Sequence, residues 1–159
     1  MDAIGFASHD HRACIKDCAR AAEAYCRKAG LRFTEQRRRV LEILLAEHRA
    51  LGAYDILDIL RAEGQNAQPP VAYRALDFLV EHGFAHKVER LNAFIACAHP
   101  GEAHAPALLI CRKCRKVAET PSEPLRAQLG RTAKEAGFEI EATVIEAVGV
   151  CPNCAGAAP

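Results

Sequence analysis

Two C-x-x-C hooks limit how this chain can fold: Cys111-Arg-Lys-Cys114 and, after the 36 residues numbered 115–150, Cys151-Pro-Asn-Cys154. Four thiolates at this spacing can enclose one tetrahedral Zn²⁺, each hook turning two sulfurs toward the same ion at about 2.3 Å. The competing uses are a disulfide framework, a thioredoxin-like redox pair and an iron–sulfur cluster. Residues 1–30 are charged and do not resemble a signal peptide, which predicts a reducing, cytoplasmic setting where thiols stay available to metal. A site closed by four sulfurs offers no open position to a substrate, so it argues for structure and not for an enzyme.

The 159 residues suit one large domain or two small ones, and half of them are hydrophobic. No run approaches the roughly 20 apolar residues of a membrane span, so no membrane partner is expected. With 21 basic and 20 acidic residues, nucleic-acid binding has to come from local asymmetry. Arg27, Lys28, Arg32, Arg37, Arg38 and Arg39 supply it in the first third of the chain. There is no Walker loop, G-x-G-x-x-G or G-x-S-x-G, and no small organic substrate is expected.

Residues 10–29 read as a helix with a weakly apolar side of Ala13, Ile15, Ala19, Ala22 and Cys26, ended by Gly30. Cys14, Cys18 and Cys26 recur at helical spacing and read as small residues of a packed face, with a metal or redox site as the alternative. Thr34 looks like an N-cap, followed by a stripe of Val40, Leu41, Leu44 and Leu45. A third helix at about 53–63 turns Ile56, Leu57 and Leu60 inward and stops at Gly64. Pro69-Pro70 opens a fourth, lined by Ala72, Leu76, Leu79 and Val80 and ended by Gly83. Tyr73, Arg74 and Asp77 lie off that stripe, as the readers of a recognition helix would. Phe84–Glu89 and Ala93–Cys97 then read as strands around a turn at Leu91-Asn92. Helices followed by such a hairpin make a winged helix-turn-helix; a helical bundle with an appended hairpin is the plainer alternative.

Residues 98–106 read as a hinge. Beyond it come strands Leu108–Cys111 and Val117–Thr120, a helix Ser122–Ala136 with Leu125, Leu129, Ala133 and Ala136 on one side, and an alternating strand through Phe138, Ile140, Ala142 and Val144. So small a unit needs staples: zinc, and dimerisation through the long last strand. Around the hinge stand His86, Cys97, His99, Glu102, His104 and Glu119, all of them ligand types. An ion bridging the two units would favour the one arrangement in which both present ligands, as a sensor requires. One thiolate, two imidazoles and one carboxylate suit Zn²⁺ better than Fe²⁺ or Mn²⁺.

Leu31-Arg-Phe-Thr-Glu-Gln-Arg37, Ala53-Tyr-Asp-Ile-Leu57, Pro69-Pro-Val-Ala-Tyr-Arg-Ala-Leu-Asp-Phe-Leu79, His86-Lys-Val-Glu89, Asn92-Ala-Phe-Ile-Ala-Cys97 and both hooks together resemble the ferric uptake regulator family, in its zinc-responsive branch. The resemblance runs from about Leu31 to Cys154. It implies an α+β chain: a winged helix-turn-helix DNA-binding domain over 1–97, a hinge over 98–106, and a zinc-stapled α/β dimerisation domain over 107–159. It implies Cys111, Cys114, Cys151 and Cys154 as structural zinc ligands and His86, Cys97, His104 and Glu119 as regulatory ones, with His99 or Glu102 as substitutes for His104. Tyr54 and Arg74 match DNA-contacting positions, to which the reading adds Tyr73, Arg37, Arg38 and Arg39. The implied function is a homodimeric repressor of zinc-uptake genes acting on double-stranded DNA; the alternatives are an iron- or peroxide-responsive member, or a zinc-ribbon interaction module. Val71 and Ala72 depart from the pattern, which has a small hydroxyl residue and a bulkier hydrophobe there. The histidine- and aspartate-rich stretch of the iron branch is missing before the first hook.

Overall fold

The computed structural model describes residue 6, residues 11–100 and residues 104–156. Four helices come first: α1 His11–Ala29, α2 Glu35–Ala46, α3 Ala53–Ala62 and α4 Pro69–Glu81. Each boundary has a local cause. The Arg37 N–H donates to Thr34 Oγ1 at 3.2 Å and caps α2. Gly30 and Gly83, at φ +69° and +75°, take the left-handed turns that end α1 and α4. Pro69 and Pro70 sit where a helix has no use for an N–H.

Val40, Leu41 and Leu44 of α2, Ile56, Leu57 and Leu60 of α3, and Ala72, Leu76 and Leu79 of α4 meet in one core, with Phe84 and Phe94 beneath them. Val80, expected in the stripe, is 36% exposed, and Ala75 and Phe78 are buried instead. The stripe of α4 therefore runs through Ala75 and Phe78, with the Arg37 guanidinium of α2 over the Phe78 ring.

Strands β1 Ala85–Val88 and β2 Ala93–Ala96 pair antiparallel, with His86 opposite Ile95. They are joined by a 3₁₀ turn, Glu89–Leu91, and by Asn92 at φ 47°. A second sheet has the order β4-β3-β5, from β3 Ala107–Cys111, β4 Val117–Thr120 and β5 Glu146–Gly149; β4 runs antiparallel to β3 and β5 parallel. Helix α5, Glu123–Glu135, forms the crossover between β4 and β5, and a short α6, Pro152–Ala155, ends the fold.

The expected strand at 138–144 is not one: the strand beside β3 is Glu146–Gly149, joined to it also by the Leu108 N–H on Ile145 O at 2.9 Å, and residues 138–144 pair with no strand among the described residues. Nor is the expected face of α5 covered. Leu125 and Leu129 are 55% and 47% exposed, and only Ala133 of that helix is buried.

The wing packs on the second sheet. Val88, Ala93 and Ile95 share a core with Ala50, Leu108, Ile110 and Val117. The segment between α2 and α3 adds backbone bonds both ways: Val117 N–H to His48 O at 2.9 Å, Ala50 N–H to Arg115 O at 3.2 Å, and Leu51 paired with Phe94. Among the described residues no helix is long and apolar enough to cross a membrane.

Candidate metal centres and nucleic-acid interface

Cys111 ends β3, and Cys114 follows in a turn held by the Arg115 N–H on Cys111 O at 3.0 Å, with Arg115 at φ 62°. Cys151 precedes α6 and Cys154 lies within it. Because β5 runs parallel to β3, both strands deliver their hooks to the same end of the sheet. The four sulfurs lie within 4.8 Å of one another. Cys114 Sγ and Cys151 Sγ stand 3.7 Å apart, far beyond the roughly 2.05 Å of a disulfide and close to the roughly 3.8 Å edge of a tetrahedron with zinc–sulfur bonds of about 2.3 Å.

The electrostatics suit a cation. Backbone N–H groups of Cys114 and Cys151 hold the Cys111 thiol down at about 6. The Cys151 sulfur and burial push Cys154 up to about 12. Four thiols so crowded cannot all ionise unless a positive charge stands among them.

The second cluster is assembled from four places. His86 comes from β1, Cys97 from just past β2, His104 from the segment before β3, and Glu119 from β4. Their ligand atoms also lie within 4.8 Å of one another. His86 Nε2 is 3.1 Å from Glu119 Oε1, His104 Nε2 is 3.4 Å from Glu119 Oε2, and Cys97 Sγ is 3.4 Å from His104 Nε2. Edges of roughly 3.3–3.6 Å are what tetrahedral zinc requires between such donors. His86 Nε2 is buried with no aligned hydrogen-bond partner, although the carboxylate is near; a lone pair aimed at a metal would have that environment.

Burial alone would push the Glu119 carboxyl up, but His86, the Ala98 N–H and His104 outweigh it and hold it below its ordinary value. The carboxylate is thus ionised and buried, at 8% exposure, before any metal arrives. His99 is exposed, its ring 6.1 Å from that of His104, and only its backbone N–H reaches the cluster, at 3.3 Å from Cys97 Sγ. Glu102 lies outside the described residues.

On the far side, α4 exposes Tyr73 and Arg74, and Tyr73 lines a shallow pocket with Tyr54, Asp55, Gly52 and Asn92. Arg37, Arg38 and Arg39 each have a partner within the chain. The Arg37 guanidinium lies 3.8 Å over the Phe78 ring and donates to Arg32 O, while Arg38 pairs with Glu23 at 2.8 Å. Arg39 is held by Glu42 at 3.1 Å and by Glu63, a pairing that raises the arginine's affinity for its proton and lowers that of Glu63. Cys14 and Cys18 face each other at 4.0 Å, with Cys18 packed against the core, and burial and the neighbouring Cys14 push the Cys18 thiol up to about 12. Cys26 is in the core.

The family model for "Ferric uptake regulator family" matches residues 28–148. The zinc uptake regulation protein of Escherichia coli (strain K12) is 40% identical over 134 residues, covering 84% of this chain and 78% of that protein. A solved zinc uptake regulator complexed with zinc and DNA aligns with TM-score 0.81 at 36% identity, covering 93% of this chain and 97% of the other. XcZur aligns in two forms: holo at TM-score 0.79 and 40% identity, over 87% and 97% of the chains, and apo at 0.51 and 39%, over 89% and 98%.

Proposed function

This chain belongs to the ferric uptake regulator family, and from that premise we propose that it is a zinc-responsive, homodimeric repressor of zinc-uptake genes. One observation carries the reading: the cluster His86, Cys97, His104 and Glu119 draws its members from the wing, the segment after it and the second sheet. A bound Zn²⁺ supplies there a dication that offsets the Glu119 and Cys97 charges. His86 and Cys97 then fix the wing, and Glu119 fixes the sheet, so that the recognition helix is held at one angle to the dimer. The better alignment with the holo than with the apo form of XcZur supports this closed arrangement.

In this reading residues 1–97 bind DNA, 98–106 act as the hinge and 107–159 dimerise. Leu125, Leu129, Phe138, Val144 and Val148 leave apolar surface along α5, the segment after it and β5 that a second copy would cover. The exposed Arg74 reads a base edge in the major groove, and Tyr54 and Tyr73 pack against phosphate or sugar. Arg37, Arg38 and Arg39 contribute positive potential and hold α2 against its neighbours, since each already has a partner within the chain. The family is one of transcriptional regulators, and the absence of an enzyme's role belongs to this reading.

The experiment is selection of binders from a random double-stranded DNA library, with zinc and with chelator. Zinc-dependent enrichment of a palindromic sequence is expected; enrichment that is the same in chelator contradicts the reading.

A further inference from the structure

Glu146, the first residue of β5, accepts two backbone hydrogen bonds from the wing: Glu89 N–H to Oε1 at 2.6 Å and Arg90 N–H to Oε2 at 3.0 Å. Those amides open the 3₁₀ turn between β1 and β2, where the turn itself offers them no acceptor. Both oxygens of the carboxylate are used, one on each amide, at an exposed edge of the wing, which fixes the geometry of the contact.

The register explains why this residue reaches the wing. Leu108 stands opposite Glu119 on one side and opposite Glu146 on the other, so the three form one rung of the second sheet. Residues in one rung point to the same face, and Leu108 is buried in the core shared with the wing. Two strand spacings separate the carboxylates by about 10 Å, and the three residues from His86 to Glu89 also span about 10 Å. One rung therefore presents a carboxylate to each end of β1: Glu119 to His86, and Glu146 to the turn.

We infer that Glu146 is a positioning residue, a metal-independent latch that holds the far end of β1 on the sheet so that the regulatory ligands assemble at lower cost. The inference rests on the metal-gated reading above. By linkage, anything that favours the closed arrangement raises the affinity of a ligand that requires it.

The test compares the full-length protein with Glu146→Ala and Glu146→Gln, each carrying its tight zinc. Two quantities are measured: zinc affinity at the second site, and hydrogen exchange at the Glu89 and Arg90 amides. In Glu146→Ala the second zinc should bind about tenfold more weakly and both amides should exchange about tenfold faster, with the tight zinc and the dimer intact. Glu146→Gln keeps one acceptor oxygen and should fall between. Wild-type zinc affinity and exchange in both variants overturn the latch, as does loss of the tight zinc or dimer in both, which would make Glu146 part of the sheet's packing. If zinc at the second site of the wild type leaves DNA binding unchanged, the repressor reading fails, while exchange and zinc affinity still decide the latch.

Discussion

The two ligand clusters have the same compactness and opposite architecture. The four cysteines come from two local hooks on one sheet, and closing them fixes only that unit. The cluster of His86, Cys97, His104 and Glu119 is drawn from the wing, the segment beyond it and the second sheet, and closing it fixes the units relative to each other. A site built within one unit is a staple. A site built across two is a switch, because its affinity depends on a conformation that something else can also bias.

The largest expected effect breaks the staple. Cys111→Ser should remove the tight zinc and with it the fold and the dimer, since a structural zinc contributes on the order of 10 kcal/mol of apparent folding free energy. Elemental analysis and thermal unfolding would show it; a folded dimer with its zinc gone would mean that the cysteines staple nothing. Cys97→Ser should break only the switch: a folded dimer with one zinc, whose DNA binding no longer responds to the metal. If the two variants exchange phenotypes, the assignments are reversed.

Glu119→Gln sharpens the comparison through pH. The Glu119 carboxyl is held below its ordinary value in the folded chain, so its contribution to stability is complete above the unfolded value of about 4.3 and is lost as pH falls through the lower folded value. Denaturant midpoints of the metal-free second site should therefore drop with acid across that window in the wild type and drop less in Glu119→Gln. The variant should also bind the second zinc at least tenfold more weakly, having lost the anionic ligand. Smallest of all should be His99→Ala, since its imidazole stands off the cluster: zinc affinity within about threefold of wild type, read by chelator competition.

The staple was legible in the sequence because its geometry is local: a C-x-x-C turn brings its sulfurs together whatever the rest of the chain does. Helix ends were legible for the same reason, from Thr34, Gly30, Pro69 and Gly83. The switch was half legible. Six residues that could ligate a metal crowd the hinge, but choosing among them depends on how the wing lies on the sheet, and the resemblance selected the set that the structure brings together. What depends on tertiary contact was harder to read. Val80 faces outward because α4 turns Phe78 inward under Arg37, and the intrachain partners of Arg38 and Arg39, Glu23, Glu42 and Glu63, come from distant or neighbouring turns that the arginine run does not announce. Phe138–Val144 alternates like a strand, yet among the described residues no strand pairs with it. Glu146 gave no signal at all, being one acid in an acidic stretch until the register of β5 sets it on the rung of Glu119.

In the proposed mechanism, filling the second cluster turns on DNA binding. The most direct measurement titrates zinc into protein holding only its tight ion, while following the anisotropy of a labelled duplex obtained by the selection above. DNA binding should rise in step with the second zinc and saturate at one further ion per chain. Full binding before the second zinc enters, or none after it has, would contradict that mechanism.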